Sequence, residues 1–97
     1  MRARFEWDPT KAAINLAKHR VSFETAARVF ADPFLLMAQD RIEGGEHRWQ
    51  SLGMVEGHLL LLVAHLVGQD DDGTEVIRII SARKADPKER KRYEEDR

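Results

Sequence analysis

Residues Leu59 to Leu66 read Leu-Leu-Leu-Leu-Val-Ala-His-Leu, an almost continuous apolar run. Its core, Leu59 to Ala64, is far too short to span a bilayer. A strand that is apolar on both sides belongs at the centre of a sheet with both faces covered. Polar turns bracket it: Glu56-Gly57 before, and the loop from Gly68 to Gly73 with Asp70, Asp71 and Asp72 after.

The flanking segments supply the rest of a sheet. Phe34 to Gln39 and His47 to Met54 read as strands around a turn from Asp40 to Glu46 that contains Gly44-Gly45. Glu75 to Ala82 is the last strand, rich in isoleucine. Short connections make these an antiparallel meander. Phe5-Glu6-Trp7 alternates as a short edge strand.

Helix signals stand on either side of the meander. Asp8-Pro9 is an N-cap followed by proline at the first helical position, with Ala13, Leu16 and Ala17 as a thin apolar stripe. Ser22 caps a second helix, in which Phe23, Ala26, Ala27 and Phe30 repeat at helical spacing until Asp32-Pro33 ends it. Asp86-Pro87, with Glu89 placed for a capping box, opens a short, polar last helix whose one large side chain is Tyr93. The order β-α-α-β-β-β-β-α defines a small α+β domain, with helices packed on a twisted antiparallel sheet.

Composition narrows the functional classes. A chain of 97 residues is expected to be one domain, spanning 1–97, with a modest core. It has 42% hydrophobic and 34% charged residues, so it is globular rather than disordered. The absence of cysteine excludes disulfides and thiolate metal sites and fits a cytoplasmic protein. Met1-Arg2-Ala3-Arg4 is not followed by a secretory apolar segment. A net charge of -1 does not favour a basic nucleic-acid-binding domain, yet Arg83, Lys84, Lys88, Arg90, Lys91 and Arg92 cluster near the end.

His19, His47, His58 and His65 are scattered, without metal-ligand spacing, and no phosphate-binding glycine loop or nucleophile elbow is present. An enzyme built from this chain is expected to work without cofactor or metal. RNA offers such a reaction, because its own 2′-hydroxyl can attack the adjacent phosphate. Arg48, Arg78 and Arg83 are candidates to stabilise the extra charge, His19 and Glu46 to move protons, and Tyr93 to act as a phenol donor.

Each has a structural alternative. Arg78 can pair with a carboxylate across the sheet, Arg48 can be an exposed strand residue, and His19 can finish a helix, whose negative end suits a cation. Glu46 can be a turn-end charge, and Tyr93 can pack over the sheet with its hydroxyl in water. Arg78 and Arg83 are an odd number apart, so an unbroken strand points them to opposite faces. They share a site only if the strand ends, turns or bulges between them; otherwise Arg83 is functional and Arg78 structural.

Phe5-Glu6-Trp7-Asp8, Lys11, Asn15, Lys18-His19, Val21, Phe23, Ala26, Phe30 and Asp32 form one ordered set of residues. Glu46-His47-Arg48, Leu52-Gly53, Arg78 to Ala85, Glu89-Arg90 and Tyr93 continue it. Together they resemble, nearly end to end, the BrnT toxins. The resemblance implies a RelE-like fold and a ribonuclease toxin of a type II toxin–antitoxin pair. It implies a BrnA-like antitoxin with a ribbon-helix-helix segment, operator DNA contacted mainly through that antitoxin, and a homodimer or larger toxin–antitoxin assembly. It places Arg48, Arg78, Arg83 and Tyr93 in catalysis. It matches Lys84 and Arg90 as further basic positions and Lys18-His19 as a second polar cluster; Lys18, Lys84, Lys88 and Arg90 are the expected RNA contacts. The other reading is a non-catalytic binding module that acts as co-repressor with the antitoxin. The family commonly carries glycine after Lys-His; here Arg20 stands there, so the helix end must differ or carry strain.

Overall fold

The computed structural model describes residues 3–96; Met1, Arg2 and Arg97 lie outside the described residues. The chain runs β1 (Ala3–Glu6), α1 (Pro9–His19), α2 (Phe23–Ala27), a 3₁₀ turn (Arg28–Ala31), β2 (Leu36–Glu43), β3 (Glu46–Val55), β4 (Leu59–Gln69), β5 (Glu75–Lys84) and α3 (Pro87–Glu95). Helix starts follow local chemistry. The Asp8 carboxylate accepts from Thr10 N at 2.8 Å, and Ser22 Oγ accepts from Thr25 N at 3.1 Å. In α3, Asp86 accepts from Glu89 N at 2.8 Å while the Glu89 carboxylate accepts from Asp86 N at 2.9 Å, a complete capping box.

Helix ends hold two departures. Arg20 takes the left-handed cap position itself, at φ 61°, a conformation that disfavours a side chain by roughly 1–2 kcal/mol. The second helix does not run on to Phe30 as an α-helix. It tightens into a 3₁₀ turn after Ala27, a frequent way to close a helix before a break such as Asp32-Pro33. That turn seats Val29 on Gly53 of β3, where a Cβ would lie 2.8 Å from Val29 Cβ. Glycine is required at that contact.

The sheet order is β1-β5-β4-β3-β2. The meander from β2 to β5 is antiparallel, but β1 pairs parallel with β5, so the sheet is mixed rather than wholly antiparallel. After β1, the chain crosses the sheet through α1 and α2, enters at the far edge as β2, and meanders back. Its final strand therefore arrives beside its first. The β2–β3 turn is also tighter than read from sequence. Both strands continue to Gly44-Gly45, whose φ values of 59° and 82° match a two-residue hairpin turn.

Strand β4 packs on both faces. Leu61 and Val63 join Val21, Phe23, Ala26, Val29, Ile77, Ile79 and Ala82 in the core under α1 and α2. Leu60 and Leu62 join Leu52 and Tyr93 in a smaller core under α3. The apolar stripe expected on α1 faces outward instead: Ala13, Leu16 and Ala17 are exposed, and the sheet-facing residues are Ala12 and Asn15. The reason is polar. Asn15 Nδ2 donates to Ala82 O at 2.9 Å and to Val21 O at 3.0 Å, and Asn15 Oδ1 accepts from Ala82 N at 3.0 Å. Its amide pairs with β5 as a neighbouring strand would, beyond the point where β1 stops.

Candidate functional site on the uncovered sheet face

Strand register places the candidate residues. Arg41 lies opposite Arg48, Arg48 opposite Leu66, Leu66 opposite Arg78, and Arg78 opposite Glu6. These residues make one row across all strands, on the face opposite α1 and α2. Helix α3 covers only the far part of that face, where Leu52, Leu60, Leu62 and Tyr93 pack. With strands about 4.8 Å apart, the Arg48 and Arg78 backbones stand about 10 Å from one another across Leu66.

A bulge decides which arginines share the face. In the β4–β5 ladder, Ala64 pairs with Ser81 and His65 with Ile79, so Ile80 is an extra residue. The parity change puts Arg83, opposite Leu62, on the same face as Arg78, opposite Leu66. The odd sequence separation therefore does not split them. They remain about 13 Å apart along the sheet, four β4 residues at about 3.3 Å each.

Their partners differ. Arg78 Nη1 meets Glu6 Oε1 at 3.3 Å between two well-exposed side chains. Arg48 Nε is 3.6 Å from Glu43 Oε2, which Arg41 approaches more closely, at 2.9 Å. Arg83 is instead gripped by both Glu89 oxygens, at 2.8 and 2.9 Å, and also donates to Lys84 O at 3.2 Å. The Glu89 carboxylate, 15% exposed, raises the Arg83 pKa above its ordinary value. Bonding to Arg83 pulls Glu89 below the usual carboxylate range. At the hand-over from β5 to α3, the cation is already neutralised by an acid.

Glu46, at the start of β3, lines a cavity of about 300 Å³ with Arg4, Glu6, Asp70 and Arg78. It therefore stands with Arg78 at the uncovered end. Tyr93 does not join them. It is 2% exposed, and its hydroxyl donates to Asp32 at 2.5 Å rather than to water. Asp32 also accepts from Met54 N and Phe34 N, so the phenol belongs to a polar link between α3 and the segment before β2. His19 and Lys18 lie around the β5 edge, in a groove between α1 and Ile80-Ser81. Lys84, Lys88 and Arg90 are exposed near the start of α3.

Sequence reasoning missed Arg41, Glu6 and Glu43. Counting back from a two-residue Gly44-Gly45 turn would have set Arg41 opposite Arg48. It also missed the buried pair Ser51 Oγ···His65 Nε2, 2.8 Å apart, beneath the same strands. Phe30 packs edge-on against the His65 ring at 4.9 Å, and burial pushes the imidazole down to about 4. No cluster of three or more His, Cys, Asp or Glu suited to a metal ion occurs among the described residues. No helix among them is long and apolar enough to cross a membrane.

A small α+β domain with an arginine row on a partly uncovered mixed sheet is the class that these features define. The family model described as "Ribonuclease toxin, BrnT, of type II toxin-antitoxin system" matches residues 7–89. The chain belongs to this BrnT family of ribonuclease toxins, and membership implies an antitoxin partner and an RNA target. Its fold is similar to the crystal structure of the Brucella abortus ribonuclease toxin BrnT. The TM-score is 0.66 at 20% identity, over 89% of this chain and 99% of that one. No curated protein matches the chain.

Proposed function

We propose that this chain is a metal-independent, RelE-like endoribonuclease whose working site is the uncovered end of the sheet. The observation that carries the reading is the row Arg41–Arg48–Leu66–Arg78, on a face that α3 leaves open. The partners of Arg48 and Arg78 are exposed and at 3.3–3.6 Å. Such pairs are worth about 0–1 kcal/mol, so an RNA phosphate can displace Glu6 and Glu43 at small cost. The guanidinium forks then face the phosphate oxygens and stabilise the dianionic phosphorane as it forms.

In this mechanism the 2′-hydroxyl attacks phosphorus, and Glu46 accepts its proton. The 5′-oxygen leaves and is protonated by water on this open face, giving a 2′,3′-cyclic phosphate and a 5′-hydroxyl. Arg83 and Tyr93 hold α3 in place rather than touch the reacting atoms, since both are engaged by carboxylates. Lys84, Lys88 and Arg90 add exposed positive charge that draws RNA toward the site. The partner is proposed to be a BrnA-like ribbon-helix-helix antitoxin that covers the arginine row and carries the DNA contacts. The toxin on this reading is a cytoplasmic single-domain protein, stored in a larger toxin–antitoxin assembly.

The test is cleavage of a defined RNA by purified protein in EDTA, with product ends analysed. Cyclic phosphate ends, and loss of cutting in Arg48→Ala and Arg78→Ala, are expected. Intact RNA after prolonged incubation, with tight antitoxin binding retained, would instead select the non-catalytic co-repressor.

A further inference from the structure

The cations of this protein fall into two populations. The arginines of the sheet face all have carboxylate partners. Lys11, Lys18 and His19, like Arg20, Lys84, Lys88, Arg90 and Arg92, form no ion pair among the described residues. Yet the first three line one groove of about 200 Å³ with Ile14, Asn15, Ile80 and Ser81, and no acidic residue lines it.

The helix dipole accounts for part of this arrangement. Lys18 and His19 sit in the last turn of α1, where positive charge is favoured. It does not account for Lys11, which lies in the first turn, at the positive end of the dipole, where the Asp8 carboxylate is spent on the Thr10 and Lys11 backbone amides. Spacing puts Lys11, Asn15, Lys18 and His19 on one helical face, at i, i+4, i+7 and i+8. The Asn15 amide fixes that face against β5 at Ala82. Because Asn15 occupies the backbone groups of Ala82, an added strand cannot pair there. Strand addition by a peptide is therefore blocked at this point, while the cations beside it stay open to an anion.

Ser81 connects the groove with the arginine face. It is exposed, it lines the groove, and it lies on β5 between Arg78 and Arg83. The bulge at Ile80 turns the strand at this point. Ile14, 60% exposed between the two lysines, offers an apolar surface to a ribose or base.

We infer that the α1–β5 groove is a second phosphate subsite, in which Lys11 and Lys18, with His19, hold the RNA backbone flanking the cut as it passes over Ser81. This rests on the reading of the protein as a ribonuclease, and it adds a binding register outside the arginine row. It gives the toxin a grip on RNA longer than the nucleotides at the reacting phosphate.

The experiment measures binding of a 2′-O-methyl oligoribonucleotide, which cannot be cut, across a salt series with the full chain. For single strands each phosphate contact contributes about 0.7 to the slope of log K against log salt. The Lys11→Gln/Lys18→Gln variant should therefore lower the slope by about 1.4. A control that removes a charge away from both sites, Arg28→Ala, should leave it unchanged. Thermal melting of each variant checks that the fold is intact, and Lys11→Glu/Lys18→Glu should weaken binding further. An unchanged slope in the lysine variants, while the parent protein still cuts RNA, overturns the subsite and leaves the ribonuclease reading standing. Loss of antitoxin binding with an unchanged RNA slope also overturns it and makes the groove a protein contact. A parent protein that neither binds nor cuts RNA overturns the ribonuclease reading first.

Discussion

At one end of the uncovered sheet face, Arg48 and Arg78 make long, single contacts with Glu43 and Glu6, whose carboxylates reach solvent. At the other, Arg83 is held by both oxygens of a mostly buried Glu89 that also caps α3. The residue type and the face are the same, but the availability is opposite. A guanidinium can serve an incoming anion only if its present partner is cheaper to lose than the anion is to gain. By that measure the loose end is the proposed chemical end, and the tied end is a joint between strand and helix.

The largest expected effect breaks or keeps this division directly. Arg78→Ala or Arg48→Ala should reduce the single-turnover cleavage rate by about 10²–10³, the range for losing a preorganised charge stabiliser. Thermal stability should barely change, because the lost pair is worth about 0–1 kcal/mol. If Arg83→Ala abolishes cleavage while Arg78→Ala does not, the assignment of the two ends is reversed.

Acid titration sharpens the comparison next. His65 precedes Leu66, the residue between the loose arginines, and its folded pKa of about 4 lies below the ordinary 6.5. The unfolded chain then binds more protons, so stability is full above pH 6.5 and falls as the pH drops toward about 4. At about 1.4 kcal/mol per pH unit the loss approaches roughly 3 kcal/mol. Glu89, whose pKa is also depressed, contributes stability that is lost only below its ordinary 4.5. Denaturant midpoints measured from pH 7 to 3 should show the first limb flattened in His65→Leu/Ser51→Ala and kept in Glu89→Gln.

A smaller effect belongs to the tied end. Arg83→Ala removes a bidentate, partly exposed contact worth roughly 1–2 kcal/mol. That should lower the melting temperature by roughly 5–10 °C, with little change in cleavage rate at temperatures where the variant is folded. The smallest effect is that of Arg41→Ala. It frees Glu43 to pair more closely with Arg48 and should weaken RNA binding mildly, read as a modest rise in KM with kcat retained.

The features legible in the sequence were those fixed by near neighbours. Asp8-Pro9, Ser22 and the Asp86-Pro87-Glu89 capping box started helices where their side chains could reach local amides. Leu59 to Leu66 lay at the centre of the sheet because nothing else in the chain was apolar on both faces. What stayed hidden depended on distant partners. The inward face of α1 was set by Asn15 bonding to Ala82, so a pattern of alanine and leucine alone pointed the wrong way. The common face of Arg78 and Arg83 was set by a bulge that shows only in the β4–β5 register. In sequence Arg83 reads as free because Glu89 reads as a helix cap, and one carboxylate serves both.

The pairing of Asn15 with Ala82 has a consequence for how copies of this chain can meet. One margin of the sheet is a four-residue β1 followed by a side chain that plugs the ladder; the other is the eight-residue β2, broken by a bulge at Asp40 and charged at Asp40, Arg41 and Glu43. A sheet guarded at both margins resists joining a second sheet edge to edge. Shortness and a plug on one side, a kink and charge on the other, are the means by which a single sheet stays single.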